Sequence, residues 1–296
     1  MRDRYIERLI DLALDEDLGS AGDITTEALV AAHVRGTAEL WAKEEMVLSG
    51  LEVFGDVFKR LDSSTRIDFE LTNGSKTRKK QRVAQLEGSL RVLLSGERTA
   101  LNLVQRLSGI ATMTAAAVAT LASIRGSKLK ILDTRKTTPG LRGLSKAAVR
   151  HGGGTNHRVG LFDGVLIKDN HIAAVGGSIR EALRLAKKQA PRLVKTEIEV
   201  TTIAQLEEAI DAGADIVMLD NMTDEQILDS VKVASGRCEL EVSGGITLER
   251  LPRLAKLGVD YVSMGALTHS ARAMDLSLEI LTVKEARLSR RGATAR

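Results

Sequence analysis

Residues 196–247 read TEIEVTTIAQLEEAIDAGADIVMLDNMTDEQILDSVKVASGRCELEVSGGIT. Three short apolar runs stand in this stretch, at 198–200, 216–219 and 240–242, with helical stretches between them. Thr202 with Gln205, and Thr223 with Gln226, carry helix-start spacing, in which hydroxyl and amide satisfy otherwise unpaired backbone N–H groups. Strand, helix, strand at this interval predicts right-handed βαβ units and a parallel sheet. Runs at 129–132, 165–167 and 261–262 extend the pattern, and Ser178 with Glu181 opens one more helix. Six such strands with helices outside predict a barrel of the (β/α) type, closed or incomplete.

The first third reads differently. Ile6, Leu9, Ile10, Ala13 and Leu14 have the spacing of an amphipathic helix. Residues 36–72 suggest strand, helix and strand, and alternation continues to about residue 87. A long helical pattern follows over 89–124, interrupted only by Gly96 and Gly109. A small α+β domain therefore precedes the barrel, and residues 287–296 form a basic tail.

Composition bounds the function. The chain has 296 residues, of which 43% are hydrophobic and 28% charged, and this is ordinary for a globular protein with a sizeable core. A net charge of +4 over that length is too small to predict nucleic-acid binding. One Trp, two Tyr and four Phe leave almost no platform for stacking bases. Cys238 is the single cysteine, which excludes a disulfide framework and points to a reducing compartment. No apolar signal-peptide core stands at the start, and the greasiest stretch, around 115–122, is too short to span a bilayer. A cytoplasmic protein that binds neither membrane nor nucleic acid is expected.

In such barrels chemistry sits at the C-terminal ends of the strands. From Thr134 to Phe162 there is no acidic residue, while Arg135, Lys136, Arg142, Lys146, Arg150, Arg158, His151 and His157 are interleaved with six glycines. Glycine lets backbone approach a ligand, and arginine grips carboxylate or phosphate with paired hydrogen bonds. The stretch therefore suits a multiply anionic small molecule. Arg142, Lys146 and Arg150 suit a solvated helix face over 144–151 equally well.

Glu199 and Asp220 lie 21 residues apart at consecutive strand ends. Paired carboxylates beside an anion suit Mg²⁺ or a ribose, or simply pair with neighbouring cations. Glu197 shares a strand face with Glu199 and is a rival. Ser243, Gly244 and Gly245, then Met264, Gly265 and Ala266, form two glycine-bearing turns whose N–H groups suit a phosphate. His33 reads as surface, Trp41 as core, and His171 and His269 as either capping or ligand-touching. No His/Cys pair has zinc spacing, and no nucleophile elbow is present.

At these residues the chain resembles the quinolinate phosphoribosyltransferases, across nearly its whole length. The matching blocks begin with Glu16-Asp17-Leu18-Gly19 and Gly22-Asp23-Ile24-Thr25-Thr26, then Gly96-Glu97-Arg98-Thr99-Ala100-Leu101-Asn102 and Ser108-Gly109-Ile110-Ala111-Thr112. The fullest runs from Asp133-Thr134-Arg135-Lys136-Thr137-Thr138-Pro139-Gly140-Leu141-Arg142 through Gly152-Gly153-Gly154-Thr155-Asn156-His157-Arg158 to Ile167-Lys168-Asp169-Asn170-His171. Leu219-Asp220-Asn221-Met222 and Ser243-Gly244-Gly245-Ile246 complete the set. Ala147 departs from the family's usual tyrosine, and the basic stretch 76–82 is unexpected.

The resemblance implies an α/β fold: an N-terminal α/β sandwich over 1–110, an irregular open (β/α) barrel of the type II phosphoribosyltransferase kind over 111–270, and a C-terminal helix over 271–296 returning to the first domain. It implies joining of quinolinate to 5-phosphoribosyl-1-pyrophosphate with Mg²⁺, giving nicotinate mononucleotide, pyrophosphate and CO₂. Arg135, His157, Arg158 and Lys168, with Thr134, would bind quinolinate. Lys136, Glu199, Asp220 and Mg²⁺ would hold ribose and pyrophosphate, with Glu199 and Asp220 as the metal residues. The 243–245 and 264–266 turns would receive the 5-phosphate. Arg98 would reach into a neighbouring subunit, so a homodimer is expected. The residues alone also suit a barrel aldolase with Lys168 as Schiff-base nucleophile, a related transferase for another anion, or a non-catalytic anion binder.

Overall fold

A computed structural model describes residues 4–284, in two compact units. One unit runs to Gly109 and resumes at Arg272; the other is Ile110–Ala271.

The first unit holds α1 (Arg4–Leu18), α2 (Ile24–Leu29), β1 (Arg35–Ala42), α3 (Leu51–Leu61), β2 (Arg66–Phe69) and β3 (Gln81–Ser89). It also holds the first part of α4 (Leu90–Ala122). Asp23 caps α2, accepting the Thr26 N–H at 2.9 Å. The unit's sheet is antiparallel. Its core includes Leu40, Leu86, Phe54 and Phe58, the two rings meeting edge to face at 5.2 Å. Trp41 is only half-buried, its indole N–H donating to Glu39. In the basic stretch Arg82 is paired with Glu39 and Glu70.

The expected C-terminal helix is corrected over 276–284, where the chain instead forms a strand pairing antiparallel with β1. Leu276 and Leu278 are buried, while Ser277 and Glu279, which alternate with them, are not. That period of two belongs to a strand, not a helix. The rest of that helix, and the basic tail at 287–296, lie outside the described residues.

The second unit holds β4 (Lys130–Leu132), α5 (Arg142–His151), β5 (Val165–Ile167), α6 (Asp169–Ala174), α7 (Ile179–Gln189), β6 (Thr196–Val200), α8 (Ile203–Asp211), β7 (Ile216–Asp220), α9 (Asp224–Ala234), β8 (Glu239–Ser243), α10 (Leu251–Leu254), β9 (Tyr261–Ser263) and α11 (Ala266–His269). The final strand of the first unit is then β10 (Leu276–Lys284), and that unit's sheet order is β10-β1-β3-β2.

The second unit's six strands are parallel, in the order β4-β9-β8-β7-β6-β5. This is the expected open barrel: β4 and β5 are sheet ends and do not pair with each other. Capping fixes the helices as the sequence predicts. Ser178, Thr202 and Thr223 accept from the N–H groups of Glu181, Gln205 and Gln226.

The strands are two-faced. Ile198, Val200, Val217, Leu219, Leu240, Val242 and Val262 join Leu183, Leu206 and Ile227 of the helices in one apolar core. The alternate positions Glu197, Glu199, Met218, Asp220, Glu241, Ser243 and Ser263 line cavities instead. One strand period thus builds the core on one face and a polar interior on the other.

Gly152, just after α5, sits against the Ile110–Ala122 part of α4. A Cβ there would lie 2.4 Å from the Ala111 carbonyl oxygen and 2.6 Å from Thr114 Cβ. Backbone cannot yield as a flexible side chain can. Gly152→Ala is expected to lower unfolding free energy by about 1–3 kcal/mol, read from urea titration. An unchanged midpoint and slope would show that this approach is not tight.

Candidate active site

A cavity of about 750 Å³ opens at the C-terminal ends of the barrel strands. Thr134, Arg135, Lys136, His157, Arg158, Lys168, Glu199, Asp220, Ser243, Gly244, Gly245, Gly265 and Ala266 all line it. Met264 does not. It is a core residue, and its N–H is already donated to the Leu132 carbonyl at 3.0 Å. Arg98 lies in the other unit, exposed on α4.

The basic side of the cavity comes from the segment between β4 and β5. After α5 the chain crosses the barrel's opening at 155–164. Thr155 bridges to Leu132 of β4, and its N–H donates to the Ile131 carbonyl at 2.8 Å. Beyond that, side chains replace a strand ladder. The His157 N–H donates to Asp133 Oδ1 at 2.8 Å, and the Arg158 N–H donates to His157 Nδ1 at 2.7 Å. The Val159 and Gly160 N–H groups donate to Asp163 at 2.7 and 2.8 Å. The Arg158 guanidinium donates to the Gly164 carbonyl at 3.0 Å.

Lys146 is the main departure from expectation. It is neither a solvated cation nor a cavity residue. Its side chain is 2% exposed and pairs with Asp133, which is fully buried, at 2.6 Å. Burial pushes the Asp133 carboxyl up and the Lys146 ammonium down, while the bond between them opposes both shifts. Arg142 and Arg150 also bind protein groups. Arg142 donates to Thr137 Oγ1 and Arg150 to Asn156 Oδ1.

Arg135 and Arg158 are close enough for their charges to interact. Burial lowers the Arg158 pKa first, and the Arg135 charge lowers it further. Arg135 Nε is buried with no hydrogen-bond partner. Among the described residues neither guanidinium has an ion-pair partner, and the Glu197 and Asp163 charges offset Arg158 only in part.

Opposite signs meet elsewhere. Lys168 forms an ion pair with Glu199, whose side chain is 15% exposed. Asp220 Oδ2 accepts from Asn221 Nδ2 at 2.7 Å. The β7 and β8 ends are held close. Gly244 has φ +95°, and a Cβ there would lie 2.2 Å from Asn221 Oδ1. Gly265 lets the Lys136 stem and the His269 ring approach, each about 3.1 Å from where a Cβ would stand. His269 lines the cavity, while His171 is exposed and accepts the Lys168 N–H.

Beneath the cavity lies a group whose joint placement the sequence did not reveal. His157 Nε2 is 3.1 Å from Glu197 and 3.6 Å from Glu241. Its Nδ1 accepts the Arg158 N–H, which places the ring proton on Nε2, facing Glu197. Burial lowers the His157 pKa, but the Glu197 hydrogen bond and the Glu241 charge outweigh it and leave the pKa raised. Burial, then the neighbouring Glu197 charge, pushes Glu241 up to about 8. Glu197 Oε1 and Glu241 Oε1 are buried without partners. One ligand atom from each of the three residues lies within 4.8 Å of the others, so this group could hold a divalent cation. Glu197 was a sequence rival of Glu199; nothing in its spacing paired it with Glu241, 44 residues on.

Comparison with known proteins covers both units. Residues 23–108 match the family described as quinolinate phosphoribosyl transferase, N-terminal domain, and residues 110–279 its C-terminal domain. A probable nicotinate-nucleotide pyrophosphorylase (carboxylating) of Bacillus subtilis is 44% identical over 285 residues, 96% of each chain. The nicotinate-nucleotide pyrophosphorylase of Mycobacterium leprae is 42% identical over 273 residues, 90% of this chain and 94% of that one. The crystal structure of NadC from Streptococcus pyogenes superposes with a TM-score of 0.89 at 42% identity, covering 97% of this chain and 99% of that one.

The raised Glu241 pKa has a sign. An acid whose folded pKa lies above its unfolded value gives stability that is complete below about 4.5 and is lost as pH rises through about 8. Glu241→Gln cannot ionise, so its melting temperature should fall less between pH 5 and pH 8 than the parent's. Parallel profiles would contradict the shifted carboxyl.

Proposed function

The chain belongs to the quinolinate phosphoribosyltransferase family, and on that footing we propose how its cavity divides the reaction among its side chains. The activity is quinolinate phosphoribosyltransfer in NAD biosynthesis. Quinolinate and 5-phosphoribosyl-1-pyrophosphate give nicotinate mononucleotide, pyrophosphate and CO₂.

The supporting observation is Arg135 and Arg158, two interacting guanidiniums that line one cavity and have no ion-pair partner among the described residues. A dianion with carboxylates on adjacent ring carbons relieves their repulsion and fills their donors. His157, Lys168 and Thr134 complete this end. At the other end the 243–245 turn, with Gly265 and Ala266, receives the 5-phosphate.

Lys136, Glu199 and Asp220 take the ribose and pyrophosphate between them. Mg²⁺ fits here, because two carboxylates supply the hard oxygen donors it prefers while leaving room for water and phosphate oxygens. Bound by Glu199 and Asp220, directly or through water, it would balance charge on the leaving pyrophosphate. As that group departs, positive charge develops at the sugar carbon, and both carboxylates stabilise it. Attack by the ring nitrogen makes a pyridinium. That cation accepts the electron pair of the breaking carbon–carboxylate bond, CO₂ leaves, and the ring carbon takes a proton.

The aldolase alternative fares worse. A Schiff-base lysine must lose its proton, and the Lys168 ammonium is ion-paired with Glu199. Among the described residues no helix is long and apolar enough to cross a membrane. A cytoplasmic location belongs to the same proposal, in keeping with one cysteine.

Carboxyl-labelled quinolinate should release CO₂ only with phosphoribosyl pyrophosphate present, with one pyrophosphate formed per CO₂. Failure to form either product sinks the assignment, and pyrophosphate formation excludes both aldolase and simple binder. Glu199→Gln and Asp220→Asn should cut turnover by tenfold or more, about 1.4 kcal/mol of barrier, while quinolinate affinity changes less. Full turnover in both would remove these residues from the chemistry.

We propose further that Arg98, exposed on α4, serves the cavity of a second copy in a homodimer. Arg98→Ala and Arg158→Ala homodimers should each be nearly inactive. Reassembled together, about half the dimers should be mixed, each with one intact site, and roughly a quarter of parental activity should return. Verified mixed dimers without activity, beside parental chains that recover, would contradict this role.

A further inference from the structure

The segment that carries His157 and Arg158 has little inherent reason to keep one shape. Beyond Thr155, which bridges to β4, it crosses the opening between β4 and β5 with no strand ladder to satisfy its backbone groups among the described residues. Lys146 supplies the missing partners. Its ammonium has three N–H bonds, and all three are used: to Asp133 Oδ1 at 2.6 Å, to the His157 carbonyl at 2.7 Å and to the Arg158 carbonyl at 2.9 Å.

Asp133 completes the grip from the other side. Its Oδ1 also accepts the His157 N–H at 2.8 Å, so that residue is held at both its amide and its carbonyl. Asp133 Oδ2 accepts from Asn156 Nδ2 at 2.7 Å, and the same Nδ2 reaches the Lys146 carbonyl at 2.9 Å. The three side chains form one knot joining the end of β4, helix α5 and the crossing segment. None of the three lines the 750 Å³ cavity, whereas His157 and Arg158 both do.

We propose that Lys146, with Asp133 and Asn156, is a positioning residue for recognition of the aromatic dicarboxylate: the knot fixes the backbone of 157–158, so that the His157 ring and Arg158 guanidinium are presented in one arrangement. This deepens the function proposed above and rests on Arg158 receiving a quinolinate carboxylate. A lysine here does what a neutral residue cannot, because no neutral side chain supplies three donors from one atom. Among the described residues the turns at 243–245 and 265–266 make no hydrogen bond to the side chains of the knot.

The test is a binding cycle by calorimetry. Quinolinate and phosphoribosyl pyrophosphate are titrated, each alone, into the full-length parent, Lys146→Met, Arg158→Ala and the double variant. Asn156→Ala, which removes three hydrogen bonds and no charge, is carried alongside and decides the matter where Lys146→Met does not fold. The expected result is a quinolinate affinity at least tenfold weaker in Lys146→Met, and several-fold weaker in Asn156→Ala. Phosphoribosyl pyrophosphate affinity should stay within about twofold in both. In the Arg158→Ala background Lys146→Met should cost less than it does in the parent, because the part of its effect that passes through that arginine is already lost and only the part through His157 remains.

A merely structural role gives a different pattern. Thermal stability falls while quinolinate affinity stays, or both ligands weaken together, or the two substitutions add in full; each of these overturns the proposal. If Arg158→Ala itself leaves quinolinate affinity unchanged, the placement of a carboxylate at Arg158 fails, and the positioning role falls with it. That outcome is distinct from the case in which Arg158→Ala weakens binding and the knot variants do not.

Discussion

A buried ion pair at the open side of a barrel organises this molecule's cavity. A closed barrel satisfies its strands by pairing the first with the last. Here β4 and β5 are left apart, and the chain between them must cross the gap with its backbone polar groups in need of partners. Asp133, Lys146 and Asp163 supply them. Breaking such a pair by removing one partner typically costs about 3–5 kcal/mol, because a lone buried charge remains. Replacing both partners by apolar groups would spare that charge but abandon four hydrogen bonds to backbone and amide. Incomplete closure therefore has a use: the segment that fills the gap is free to carry arginine and histidine where a seventh paired strand would carry its ladder.

The charge distribution follows from the same architecture. Cations enter mainly from the crossing segment and the turn after β4, while carboxylates enter from the inner face of β6, β7 and β8. The two sets face one cavity but are only partly paired. Lys168 and Glu199 form an ion pair, whereas among the described residues Arg135 and Arg158 form none, Glu197 and Asp163 acting on Arg158 only from beyond contact. A substrate that begins as a dianion and passes through a cationic ring needs both kinds of surface within reach. Glu241, held largely protonated near neutral pH by burial and by Glu197, limits the negative charge beneath His157.

Much of this was legible in the sequence, and the reasons differ by residue. All six barrel strands were visible because apolar runs alternated with capped helices. The cavity residues were visible because strand ends carry polar groups and because the motifs match a known family. Lys146 was not, because its burial depends on Asp133, thirteen residues earlier, and on carbonyl groups that have no sequence signature. A lysine in a basic stretch reads as surface until its partners are placed. Met264 was misplaced for a related reason: its loop does border the cavity, but its own N–H is spent on Leu132. The expected C-terminal helix came from resemblance alone, and over 276–284 the alternation of Leu276 and Leu278 with Ser277 and Glu279 already spoke for a strand.

The most direct measurement is a crystal structure of the protein with quinolinate bound. Both carboxylates should lie within hydrogen-bond distance of the Arg135 and Arg158 guanidiniums, with the ring nitrogen turned toward Glu199 and Asp220 and the 157–158 backbone unmoved. Quinolinate seated away from these two arginines, or a crossing segment rebuilt around it, would contradict a site preorganised by the buried pair.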